Sequence, residues 1–443
     1  MLSTRFAFNF FAFVALAACS GTPAPRATQG PRFPRLPPQA PVTAAPGPPH
    51  DDWTTFAHDQ FRSGFQPQHV PFGKANVARL QLRWKFQTGD GLQASPLVAN
   101  GRVYVASQHG VVRALDARTG AQLWQVATRA TIAMTPALAD GMLFVGDHRQ
   151  PGALMALDAM NGAQRWQTVF PGGVRSEPAI AGDIVYIGET GGDQCVRAGV
   201  HALREQSGAE VWRWYVDPHD KMGGSVWSPI SFDRGRLFFG TGNACESNID
   251  TADAIVSLEG TGNVRWTVHG ADSVTDNDVG GGTLLLHGEA IAESKNGLLY
   301  DIDRTSGRVN WSTALGGAPG YGGFGTPSSD GTTIVVTAGF ASDPTKSAGP
   351  AGGALVGLDT AGAILWRVRT QNPVSGDVAI ANGVAYTPLD STFVALDVAT
   401  GTQLWSYPAG QTSYASPAVV PSGIYFANGG GEVFAFSLPE KRR

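Results

Sequence analysis

Apolar residues along most of this chain fall in short runs bounded by glycine, the pattern of β-strands rather than of amphipathic helices. In Gly101-Arg102-Val103-Tyr104-Val105-Ala106-Ser107 and Gly110-Val111-Val112-Arg113-Ala114-Leu115 the runs are rich in Val, Tyr and Leu, which predicts a pair of short strands. The segment from Asp116 to Gly120 follows. It predicts a turn, because the Asp carboxylate can accept hydrogen bonds from amides just ahead of it and the Gly can take the positive φ that reverses the chain. A further strand then carries Trp124.

That unit repeats. Close copies run from Ala156 to Trp166, Ala202 to Trp212 and Ala395 to Trp405, and divergent ones from Ser257 to Trp266, Asp301 to Trp311 and Gly357 to Trp366. With Trp84, the tryptophans stand 40, 42, 46, 54, 45, 55 and 39 residues apart, the period of four-stranded propeller blades. The expectation is an all-β, eight-bladed β-propeller of four-stranded antiparallel blades over residues 52–439. Each Trp would wedge between adjacent blades and bury on the order of 200 Å².

Composition agrees: 57 Gly, 29 Pro and only 15% charged residues fit a turn-rich β domain. The net charge of −4 comes without any basic stripe, so nucleic acid is not an expected partner. At the N-terminus, Arg5 precedes an apolar run, Phe6 to Ala18, that is too short to span a bilayer and ends in Leu16-Ala17-Ala18-Cys19. This ending resembles a bacterial lipobox, which implies a signal peptide over residues 1–18 and a lipid on Cys19. Ser20 in place of Asp resembles the outer-membrane class, so the expected location is the periplasmic face of the outer membrane. Residues 19–51 are Pro-rich and read as a disordered tether. Cys195 and Cys245 are the other two cysteines; in an oxidising compartment they either form a disulfide or remain buried thiols.

In its opening Asp52-Trp53 and in the segments ending at Trp227, Asn243, Gly280 and Tyr300, the chain resembles, over roughly residues 52–438, the quinoprotein alcohol dehydrogenases, eight-bladed propellers that use pyrroloquinoline quinone (PQQ) with calcium, and especially the short members near polyvinyl-alcohol dehydrogenase. The opening Asp52-Trp53-Thr54-Thr55-Phe56-Ala57-His58-Asp59 is similar to the start of that family's propeller. Gly223-Gly224-Ser225-Val226-Trp227 resembles the segment whose Trp is the floor under the quinone. Gly240-Thr241-Gly242-Asn243 resembles the one that supplies a calcium-binding amide oxygen. Asp193 aligns with a metal-binding Glu, one methylene longer. Asp276-Asn277-Asp278-Val279-Gly280 resembles the segment with the catalytic carboxylate, which places the base and a metal ligand on Asp278, with Asp276 as the competing assignment. Lys295-Asn296-Gly297-Leu298-Leu299-Tyr300 is similar to the segment whose Lys hydrogen-bonds the quinone oxygens. Gln93 stands where the family usually has a Glu near the cofactor, and the adjacent cysteines that cover the quinone in many members are absent.

The resemblance implies oxidation of an alcohol or polyol, small or polymeric, with electrons passed to a periplasmic acceptor. Two other readings stay open. One is a non-catalytic lipoprotein scaffold, similar to the propeller of the outer-membrane protein assembly machinery, whose partners would be other envelope proteins. The other is a degenerate quinoprotein.

Overall fold

A computed structural model describes residues 52–191, 196–217, 223–244, 249–270, 278–316, 323, 325–340, 352–372 and 376–439, with the side chains of 243, 244 and 340 excepted. Eight antiparallel sheets follow one another along the chain as the blades of a propeller. Blade 1 comprises the strands Leu97–Ala99, Arg102–Ala106, Val111–Asp116 and Gln122–Ala127, from the inside out. Six more blades follow in order. Blade 8 takes its three inner strands from the C-terminus, ending with Glu432–Ser437, and its outermost strand, Gln81–Gln87, from the N-terminal side. The ring is therefore closed by hydrogen bonds between distant parts of the chain, which leaves no open end.

Each repeat tryptophan lies on an outermost strand, and all but Trp311, which faces Asp301, stand opposite a small residue of the third strand: Trp124 faces Ala114, Trp166 faces Ala156, and Trp84 faces Ala435. A β-bulge recurs beside the tryptophan in each of these pairs, re-aiming the indole toward the next blade. There its Nε1 donates to a carbonyl: Trp84 to Ala117 at 3.0 Å, Trp166 to Glu205 at 2.9 Å, Trp366 to Val398 at 2.8 Å. The ring rests on the turn glycine of that blade. A Cβ on Gly120, which has φ 74°, would come 2.6 Å from the Trp84 ring, and Gly162, Gly208, Gly262, Gly307, Gly362 and Gly401 face Trp124, Trp166, Trp212, Trp266, Trp311 and Trp366 in the same way. The turn Asp behaves as the sequence predicts, Asp116 Oδ1 accepting from the amides of Arg118 and Thr119 at 3.1 and 2.7 Å. Trp405 differs, because the third strand of blade 8 ends the propeller without such a turn. Its ring meets Phe436 edge-on at 5.0 Å instead.

Blade 3 departs from the four-stranded expectation. Its second strand, Ile184–Thr190, runs on past the blade, and Glu189 and Thr190 pair with an added strand, Gly173–Val174. Thr190 also faces Ser225 of the short strand Gly223–Ser225, which pairs with Gly242–Ala244. The result is a seven-stranded sheet that carries blade 3 toward blade 4.

The segment before the propeller straps one end of it. Residues 53–66 bond in turn to the inner strands of the blades. Trp53 exchanges hydrogen bonds with Val98, Thr54 O accepts from Leu138 N, Gln60 O from Phe232 N, Phe61 O from Leu285 N, Ser63 O from Ser329 N and Gly64 O from Ile380 N. Arg62 reaches blade 3 through Pro178 O at 3.1 Å, and Gln66 reaches blade 8 through Val419 O at 3.0 Å. Arg62 is fully buried and also donates to Ile230 O, Thr55 Oγ1 and Phe56 O.

Above this strap a belt of short polar side chains surrounds the axis, each accepting an amide from the preceding blade. Ser95 N donates to Thr135 Oγ1 at 3.0 Å, Thr326 N to Asp377 Oδ1 at 2.8 Å, Asp377 N to Ser416 Oγ at 3.1 Å and Ser416 N to Ser95 Oγ at 2.9 Å. Glu177 and Asp377 occupy belt positions held by Ser95, Thr135, Thr326 and Ser416 in other blades and by Gly282 in blade 5, and Glu293 enters from the second strand of blade 5, accepting from Gly325 N at 3.0 Å. Burial pushes Glu177 up to about 8, partly offset by the Arg62 charge, and Asp377 up to about 7; burial also raises Glu293 well above the ordinary range. These acids hold their protons near neutrality because nothing in the belt solvates a carboxylate as water does.

Two tests follow from this arrangement. Arg62→Ala strips the hydrogen-bond donor from four partners at once and is expected to cost about 3–5 kcal/mol in urea unfolding; an unchanged midpoint would show the strap to be dispensable. The folded protein keeps protons on Glu177 and Asp377 that the unfolded chain releases above its ordinary values of 4.5 and 3.8. Stability therefore falls as pH rises from about 4 toward about 8. Glu177→Gln should leave thermal stability near pH 4 unchanged and raise the melting temperature near pH 8 by about 2 °C or more.

Candidate functional site

Trp227 is placed by the strand extension of blade 3. The amide of Val226, just before it, donates to Glu189 O at 3.0 Å, and Ser228, just after it, brackets Gly240 by donating to its carbonyl and accepting from its amide, each at 2.8 Å. The indole is then wedged between two glycines. A Cβ on Gly280 would fall 1.9 Å from its Cη2, and one on Gly242 would fall 2.9 Å from its Nε1 and 3.0 Å from Asp278 Oδ1. Gly242 and Gly280 are thus required by close approach to this one ring, while Gly240 is required by Val279, whose carbonyl a Cβ there would meet at 2.0 Å. Val279 N donates to Thr241 O at 3.1 Å, holding the two segments side by side.

Lys295 closes the group. The Lys-Asn-Gly sequence is a hairpin turn between the strands Glu289–Ser294 and Leu298–Asp303, in which Gly297 N donates to Ser294 O at 2.9 Å and Asn296 Oδ1 accepts from Leu298 N at 2.9 Å. From that turn Lys295 donates through its backbone amide to Asp278 O at 3.0 Å and through Nζ to Asp278 Oδ2 at 2.9 Å. Its Nζ also lies 5.5 Å from the centroid of the Trp227 ring, within cation–π range. Three residues that the sequence places 51 and 17 positions apart, Trp227, Asp278 and Lys295, therefore form one cluster.

The remaining sequence-derived positions are less directly placed. Asn243 is the central residue of the strand Gly242–Ala244, next to the glycine that touches Asp278, but its side chain is outside the described residues. Asp193, Asp276, Cys19, Cys195 and Cys245 also lie outside them. Gln93 is half-buried in the connection between the strands Gln81–Gln87 and Leu97–Ala99. Among the described residues no group of three or more His, Cys, Asp or Glu is arranged to hold a metal ion. Asp278, with the Asn243 position beside it, supplies the oxygen chemistry a hard cation takes.

Two features were not found in the sequence. Arg175, which follows the added strand Gly173–Val174, brings its guanidinium carbon 5.4 Å from the Trp227 ring centroid, so the indole carries two cations. Behind that strand, Glu189 Oε1 accepts from Gly172 N at 2.5 Å while Oε2 lies 2.9 Å from Nε2 of the buried His201. Burial opposes a charge on His201, but contact with Glu189 and the nearby Glu210 outweighs it and raises the imidazole pKa. The available signal was the Ser/Thr-Pro step that opens the inner strand of several blades, Ser95-Pro96, Thr135-Pro136, Ser228-Pro229, Thr326-Pro327 and Ser416-Pro417. Blade 3 has Arg175-Ser176-Glu177-Pro178 there, a charged exception at the same register.

Comparison with known proteins bears on the fold and the family. A family model described as outer membrane protein assembly factor BamB matches residues 108–268, 196–318 and 295–440, and one described as the β-propeller domain of glucose/ethanol/alcohol dehydrogenase matches residues 53–133. The chain is 25% identical over 352 residues to the quinohemoprotein alcohol dehydrogenase of Comamonas testosteroni, a match covering 62% of this chain and 48% of that protein. It is 24% identical over 449 residues to the polyvinylalcohol dehydrogenase of Sphingopyxis sp. (strain 113P3), covering 81% and 67%. It thus spans about half the length of the first of these relatives. Among solved structures, the Comamonas testosteroni enzyme superposes with a TM-score of 0.78 at 21% identity, covering 91% of this chain and 82% of that one. BamB from Moraxella catarrhalis superposes with 0.60 at 20% identity, covering 82% and 99%. With two repeat models that together run from residue 53 to residue 440, the chain belongs to the PQQ-type eight-bladed β-propeller family, to which the quinoprotein alcohol dehydrogenases belong.

Proposed function

We propose that this protein is a periplasmic PQQ-dependent dehydrogenase acting on an alcohol or polyol, anchored to the outer membrane through a lipid on Cys19. The observation that carries the reading is the convergence of Trp227, Asp278 and Lys295 around Gly242 and Gly280. A bare scaffold does not need an indole wedged between glycines beside an acid–lysine pair. The described residues suit the cofactor: Trp227 offers a flat surface for a planar ring, Lys295 a donor for its oxygens and Asp278 a carboxylate oxygen for calcium; Asn243 and Asp193 would be the further oxygen ligands. When bound, the quinone supplies a hydride acceptor and calcium a Lewis acid.

The protein's own contribution is placement and proton handling. Lys295 engages Asp278 Oδ2 at 2.9 Å, which fixes the carboxylate plane and presents Oδ1 on the Gly242 side. In this reading Oδ1 would take the hydroxyl proton of the alcohol, with the bound quinone as the acceptor of its hydride. Gly242 keeps the Trp227 ring and the Asp278 carboxylate close together, so that a ligand on the indole lies beside the base. Electrons then leave to a periplasmic acceptor. The second reading, a lipoprotein scaffold for envelope proteins, is favoured by the match of the BamB model over residues 108–440.

Reconstitution separates the two. The protein with PQQ and calcium is expected to oxidise alcohols in a dye-linked assay, and Asp278→Asn to lose about 100-fold or more in kcat while still binding PQQ. Absence of PQQ binding at micromolar concentration would leave the scaffold. Undiminished turnover in Asp278→Asn would remove the base from Asp278. For the anchor, the full chain expressed in a Gram-negative host should incorporate radiolabelled palmitate and sediment with outer membranes, and Cys19→Ala should do neither.

A further inference from the structure

Arg175 is held more firmly than a surface arginine would be. Before it, Val174 pairs with Glu189, and Thr190 Oγ1 donates to Gly173 O at 3.1 Å. After it, Ser176 Oγ accepts from Gly188 N at 2.5 Å. The glycines leading in allow no side chain: a Cβ on Gly172 would lie 2.2 Å from Thr190 O, and one on Gly173 would lie 2.4 Å from His148 O. Gly172 is bound in turn by the buried Glu189–His201 pair. The same stretch of strand, Gly188 to Thr190, pins Trp227 from its other edge, through Val226 N to Glu189 O and Thr190 against Ser225. Arginine and indole are thus mounted on opposite sides of one rigid strand, and this explains why the guanidinium meets the ring at 5.4 Å.

We infer that Arg175 is an anionic-ligand anchor of this site, pairing with a carboxylate on the rim of a planar aromatic ligand that Trp227 supports. The inference rests on the quinone reading of the site and adds a residue to it. Lys295 is a compact point charge already engaged by Asp278, suited to a ring oxygen. A guanidinium differs: it can lie along an aromatic face while its in-plane N–H groups grip a carboxylate in a fork. The two cations over one indole therefore have separate tasks, and the ligand class they select together is a flat, conjugated polycarboxylate.

The test is equilibrium binding, followed by quenching of tryptophan fluorescence, of PQQ and of its trimethyl ester, which keeps the ring and lacks the carboxylates. Calcium is present throughout, and the variants are Arg175→Ala and Arg175→Lys. Arg175→Ala should weaken PQQ binding by about tenfold or more and leave binding of the ester as in the wild type, with Arg175→Lys intermediate for PQQ. An unchanged melting temperature shows that the variants fold. Equal binding of PQQ by wild type and Arg175→Ala overturns the inference and leaves the quinone reading standing, as does tighter binding by the variant, which would make Arg175 an occluding group. Equal loss for acid and ester also overturns it, assigning Arg175 to support of the Trp227 surface. If the wild type binds neither compound, the quinone reading itself falls and the anchor with it.

Discussion

The contact on which this structure depends is an indole lying on a glycine. A four-stranded blade has two apolar faces and can bury neither alone, so the propeller exists only if neighbouring blades meet closely. The repeat tryptophan supplies the area, its ring NH fixes the register by finding a carbonyl in the next blade, and the turn glycine removes the one atom that would hold the two apart. The turn that bears the glycine is itself set by an aspartate accepting amides ahead of it. One phrase of sequence therefore specifies a turn, a bulge and a docking surface together; seven interfaces use its tryptophan and glycine, and five of their turns keep the aspartate, with Arg204 and Glu259 in its place in the other two. The eighth, where the chain ends, replaces it with an aromatic cluster around Phe436.

A ring built this way has an axis lined by the starts of the inner strands, and the molecule treats its two ends differently. One end is sealed by the strap, with Arg62 as its buried centre. Toward the other, strand extensions from blade 3 assemble the Trp227, Asp278 and Lys295 group with Arg175 beside it. Between them lies the belt with its protonated acids. Glu177 is two residues from Arg175, and Glu293 two from Lys295. The cations at the site and the acids of the belt are thus held by the same short stretches of chain.

The fold was readable because its determinants are local. Trp, Gly and Asp recur at fixed offsets, and the offsets carry the geometry. The site was readable in part: Trp227 stood off the repeat spacing, and the glycines beside Asn243 and Asp278 are there because the indole leaves no room for a side chain. What the sequence hid were residues whose roles arise only from ring closure. Arg62 looks like any polar residue near a terminus until eight inner strands surround it. Glu177 and Asp377 look like exposed loop acids until the belt buries them. Arg175 looks solvated until the extra strand turns it toward Trp227. None of these has a neighbour in sequence that reveals its neighbour in space.

The shared eighth blade has a consequence for how such a chain is made. Its outermost strand, Gln81–Gln87, precedes every other blade in the chain, but the strand it pairs with, Glu432–Ser437, follows all of them. The strap must likewise wait for inner strands as late as the one containing Val419. Blades one to seven can gather in order of synthesis, yet the circle has no lasting form until the strands Gln81–Gln87 and Glu432–Ser437 are both present. Loss of the strand Glu432–Ser437 would leave every other blade intact in sequence but the ring unclosed.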